Sequence, residues 1–163
     1  MPYVPFYLKF PAIAQRETRT VTLFSKSGFD LPAGDYTFLE MFCDEPGCDC
    51  RRAFFFVSSS GREHAIAVIA YGWEDRDFYV KWMRDDEPEV IESLKGPALN
   101  LSSPQSKLAP AVLELFQKVL LQDRRYIERV KRHYGLFRAA IDRKSAGRKK
   151  GRVSPRRRAG GRA

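Results

Sequence analysis

The chain has 163 residues, 44% of them hydrophobic and 30% charged, which suits one globular domain able to bury a core without disulfides. Its formal net charge of +9 is unevenly placed: residues 143–163 carry ten Lys/Arg and no acid, leaving 19 bases against all 20 acids in residues 1–142. The body is therefore near neutral, which argues against a body built to track a phosphate backbone, and the basic character belongs to the C-terminal segment.

Residues 1–15 are apolar but interrupted by Pro2, Pro5 and Pro11, and read as an extended arm rather than a helix or a secretory leader. Residues 18–26 are rich in β-branched side chains and read as a strand. Turn residues follow at Ser27-Gly28 and Pro32–Asp35. A second strand, 36–43, carries Tyr36, Phe38 and Phe42, and ends at Cys43. A third strand spans 51–58 and a fourth 65–71, with a polar turn between them. Four strands joined by short connections suggest an antiparallel meander.

The period then changes. Phe78, Tyr79, Trp82 and Met83 fall three and four apart on a helix beginning near Glu74, and residues 87–94 form a second short helix stopped by Gly96-Pro97. Residues 98–110 are loop-like, with Ser102–Ser106 able to cap the next helix. Residues 109–121 put Val112, Phe116, Val119 and Leu120 on one face. The last helix reaches about Arg143, with Ile127, Val130, Tyr134, Phe137 and Ile141 inward and Arg124, Arg125, Arg129, Lys131, Arg132 and Arg138 mostly outside that stripe. The aromatic set Tyr71, Trp73, Phe78, Tyr79 and Trp82 reads as core and core rim rather than a base-stacking platform.

The fold expected is α+β: an antiparallel sheet of about four strands over residues 18–71, then two to four helices packed on it. Residues 1–142 form one metal-binding domain. Residues 143–163, made of Gly, Arg, Lys, Ser, Pro and Ala with almost no apolar side chain, read as a disordered basic tail. Ten positive charges there attract polyanions, so nucleic acid is the expected partner of the Arg143–Arg162 segment. No apolar run approaches the length of a membrane span.

The sharpest chemical signal lies between the second and third strands, where Cys43, Cys48 and Cys50 have the spacing C-x4-C-x-C and account for every cysteine in the chain. Three is an odd number, and Cys48 and Cys50 are too close to bridge comfortably. A disulfide framework is thus a poor explanation, and a reducing, cytoplasmic setting is expected. Thiolates gathered on one turn are a ligand set for Zn2+, which takes four N or S donors at structural sites. An iron–sulfur cluster fits badly with no fourth cysteine.

The fourth ligand is chosen by reach. His64 lies beyond the eight-residue strand leading away from the cysteines, which at about 3.3 Å per residue puts it roughly 26 Å off. His133 lies on the last helix beside the inward stripe and is the favoured fourth ligand, with Asp44, Asp49 or water as fallbacks. Arg51 and Arg52 would offset the charge of a thiolate site.

There is no H-x-E or H-E-x-x-H, no G-x-x-x-x-G-K-[ST] and no G-x-G-x-x-G, so nucleotide hydrolysis has no support. The function expected is a small zinc-binding module acting as a binding or adaptor protein. The alternative is a zinc-dependent enzyme with an open coordination position.

The segments F-C-D-E-P-G-C-D-C-R-R, F-Y-V-K-W-M, L-K-G-P-A-L-N, P-Q-S-K-L-A-P and Y-I-E-R-V-K-R-H-Y-G-L-F resemble a family of uncharacterised bacterial proteins. Members share a C-x4-C-x-C turn, and some are associated with SEC-C-type zinc-binding motifs. The resemblance covers roughly residues 35–138. It implies metal binding at Cys43, Cys48 and Cys50 and modestly favours His133. The SEC-C pattern itself is missing, so the resemblance supplies no reaction.

Overall fold

The computed structural model describes residues 3–60 and 64–150. Its elements run β1 (Tyr3–Pro5), a 3-10 turn, α1 (Pro11–Glu17), β2 (Arg19–Leu23), β3 (Gly34–Cys43), β4 (Arg52–Ser59), β5 (Ala67–Gly72), α2 (Arg76–Met83), α3 (Pro88–Lys95), β6 (Ala98–Leu99), α4 (Ala109–Leu115) with a π turn to Leu120, and α5 (Arg124–Lys150). The fold is α+β. One antiparallel sheet runs β1-β3-β4-β5-β6, and β2 pairs with the opposite end of β3 from β1.

Alternation decides which side of the sheet the helices cover. Tyr36, Phe38 and Phe42 of β3 share a face with Ala53, Phe55 and Val57 of β4 and with Ala67 and Ile69 of β5, and all are buried. Phe116 packs against Phe38 and Phe55, while Tyr126, Tyr134 and Phe137 of α5 meet Phe55 and Phe42. The three- and four-residue stripe of α5 thus buries onto the sheet. A smaller cluster of Phe54, Val68 and Ala70, joined by Tyr3, Met41 and Phe56, occupies the other face.

Two expectations are corrected. The first residues are not simply an extended arm: Pro11 stands at the first turn of α1, where its missing N–H costs nothing and its fixed φ favours the helix. The last helix does not end near Arg143, since α5 continues to Lys150. Arg, Lys and Ala are good helix formers, and propagating an existing helix avoids the cost of nucleation. Residues 151–163 of the basic segment lie outside the described residues.

Gly72 leaves room for the Tyr79 side chain of α2 against the sheet. A Cβ there would meet the Tyr79 hydroxyl at 2.1 Å, and Tyr79 is fully buried with that hydroxyl bonded to the Arg51 carbonyl at 2.9 Å. Gly72→Ala is expected to cost about 1–3 kcal/mol, read as a lower urea midpoint. An unchanged midpoint would mean that Tyr79 is not held in place.

Candidate metal centre

The cysteines sit where β3 hands over to β4. Cys43 is the last residue of β3, and Cys50 lies two residues before β4 begins at Arg52. Between them the chain makes a type II turn: the Cys48 N–H donates to the Glu45 carbonyl at 3.2 Å, Pro46 occupies the second position and Gly47 the third, with φ +74°. A Cβ on Gly47 would meet nothing within 4 Å, so glycine is needed there for its backbone angle and not for space.

A second reversal comes at Arg51, whose φ of +46° is uncommon for a residue with a Cβ. Its neighbours hold it there. The Arg51 N–H donates to the Tyr134 hydroxyl at 3.2 Å, and its carbonyl accepts from Tyr79. Its guanidinium donates to both oxygens of Asp49 at 3.0 Å and to Glu74 at 3.2 Å, and lies 4.7 Å from the centre of the Phe78 ring. The aromatic residues expected in the core rim thus serve, in part, to hold this bend.

The two reversals bring the three sulfurs within 4.8 Å of one another. Cys43 and Cys50 are fully buried, Cys48 is half-buried, and none is in a disulfide. Burial pushes all three thiols above their ordinary value, and charge repulsion from a neighbouring thiolate adds to the rise in each. Opposing it, each sulfur is faced by the backbone N–H two residues ahead: Glu45 for Cys43, Cys50 for Cys48 and Arg52 for Cys50. The Arg138 and Arg52 charges act in the same direction on Cys43 and Cys50. Three converging soft donors fit a thiophilic cation, whose binding releases the thiol protons.

His133 does not join the cysteines. It is buried, with Nδ1 at 2.7 Å from Glu40 and Nε2 at 3.0 Å from Glu17, so both ring nitrogens face carboxylates. The Phe6 ring stacks on the imidazole at 4.3 Å, and Arg132 also bonds to Glu17. Partial burial pushes the Glu17 carboxyl up, but hydrogen bonds from His133 and Arg132 outweigh this and hold it below the ordinary carboxylate range. The expected fourth ligand is instead a strut joining α1, β3 and α5. His64 is exposed beyond the far end of β4, as the length of that strand requires. Among the described residues no imidazole or carboxylate comes within the same reach of the three sulfurs, and Asp49 is engaged by Arg51.

What ties the cysteine turn to α5 is Arg138, buried and not on the solvated side. It donates to the carbonyls of Cys43 and Glu45, both at 2.7 Å, and to Asp142 at 3.0 Å. The same Asp142 oxygen accepts from the Gly47 N–H at 2.9 Å.

No family model matches the chain, and neither a curated protein nor a solved structure matches it.

His133→Ala is expected to leave metal content unchanged while costing about 3–5 kcal/mol, because Glu40 loses its partner inside the core. The measurement is zinc per chain beside a denaturation curve. Loss of metal from His133→Gln protein that still folds would make His133 a ligand.

Proposed function

We propose that this chain is a small zinc-binding module in which Cys43, Cys48 and Cys50 hold one Zn2+ that locks the β3–β4 connection. The module works as a binding or adaptor protein in a reducing compartment, the cytoplasm, with a polyanion as partner of its basic C-terminal segment. The observation that carries the metal reading is the convergence of three sulfurs within 4.8 Å.

Three thiolates on a divalent ion leave one negative charge, which the nearby Arg138 and Arg52 offset. A metal there would add a covalent-strength restraint to a loop already held by Arg138, Asp142 and Tyr134. Tetrahedral zinc takes a fourth donor, which water or a partner's side chain can supply.

The three-donor set also favours a second reading, a zinc-dependent enzyme with an exchangeable fourth position. That reading needs an acid or base beside the metal, and Asp49 is already tied to Arg51.

Protein purified without added zinc is expected to carry about one zinc per chain, and chelation to lower Tm by about 5 °C or more. Cys43→Ser and Cys50→Ser are each expected to abolish retention of the metal. Metal-free protein with a Tm indifferent to both zinc and chelator would overturn both readings.

A further inference from the structure

The folded domain carries a second feature that the metal site does not use. An open groove of about 820 Å³ lies between the end of α1 and the first turns of α5, lined by Glu17, Arg124, Arg125, Glu128, Arg129 and Arg132. Its charges are not balanced. Glu17 is taken by Arg132 and His133, and Glu128 by Lys131 at 3.0 Å. Arg124, Arg125 and Arg129 are left without a carboxylate partner among the described residues. Arg129 is also pre-positioned: its guanidinium lies 5.3 Å from the centre of the Tyr126 ring, and its Nε is shielded from solvent with no hydrogen-bond partner.

The groove opens onto a longer basic line. Arg125, Arg132 and Arg143 lie two and five turns apart and so fall on one side of α5, all of them exposed. From Arg124 to Arg143 the helix rises about 28 Å, close to one turn of duplex. α5 as a whole holds eleven bases and two acids, whereas residues 74–92 hold eight acids and three bases. Positive charge is thus concentrated on α5 and negative charge on residues 74–92.

We propose that this groove and the basic line of α5 bind the phosphodiester backbone of a nucleic acid, with Arg124, Arg125 and Arg129 contacting phosphates. Cations spread over tens of ångströms suit a row of phosphates better than one small anion. A membrane surface fits less well, because an interfacial helix needs a free apolar face, and that of α5 is buried on the sheet. The interface does not depend on the metal, so either reading can fail alone.

The test uses the full chain and a fluorescent 20-base-pair duplex of arbitrary sequence, titrated across salt. Replacing Arg124, Arg125 and Arg129 by Gln is expected to weaken binding at least about tenfold and to lower the slope of log K against log salt by about 2.7. Because Arg129 lies on Tyr126, the double variant R124Q/R125Q, wholly on the surface, is measured beside it and should lower the slope by about 1.8. A third chain has Arg152, Arg156, Arg157, Arg158 and Arg162 replaced by Gln. If only that chain loses affinity and both groove variants bind as the parent does, the proposal is overturned. It is overturned equally if the groove variants lose binding to vesicles containing anionic lipid while keeping their duplex affinity.

Discussion

The arrangement rests on one buried guanidinium. Arg138 reaches from α5 to the last carbonyl of β3 and to the Glu45 carbonyl in the connection to β4. Charge-assisted hydrogen bonds of this kind contribute about 1.5–3 kcal/mol each, and a planar fork can satisfy two carbonyls at once where a lysine cannot. Asp142, one turn on, both orients the guanidinium and accepts from Gly47. The cysteine loop is therefore spliced to the helix before any metal is considered. That explains how three thiols can be held close together although burial disfavours charge on each of them.

The same logic accounts for the bend at Arg51. Its left-handed conformation would relax in a free loop, but hydroxyls from α5 and α2 fix its amide and carbonyl, and Asp49 and Glu74 fix its side chain. Tyr134 and Tyr79 thereby position Cys50 from two directions. The cysteine cluster is the meeting point of the β3–β4 connection and two helices, with neighbours drawn from residues 74, 79, 134, 138 and 142.

Much of the scaffold was legible in the sequence because it obeys a period. The β-branched and aromatic alternation of β2 to β5 and the three- and four-residue steps of α2, α4 and α5 survive in the fold, with β3 to β5 and α2 close to their expected bounds and α5 seven residues longer. The three-cysteine cluster was legible because its members are close in sequence and need only a turn to converge. The partner of His133 was not, because Glu17 and Glu40 lie 116 and 93 residues away. A signal was present, however: Glu40 stands on the inward phase of an otherwise apolar strand, and a buried carboxylate demands a partner. Arg138 was read as mostly outside the apolar stripe because a basic residue beside such a stripe is usually solvated. Only the fold brings it the bare carbonyls at the end of β3. The π turn after α4 had no signature in the sequence pattern.

In the proposed zinc module three cysteines, and neither histidine, hold the metal. X-ray absorption at the zinc edge of the purified chain tests it most directly. The predicted result is three sulfur neighbours at about 2.3 Å, one lighter donor and no outer-shell scattering from an imidazole ring. A first shell of nitrogen and oxygen alone, or a clear imidazole pattern, would contradict it.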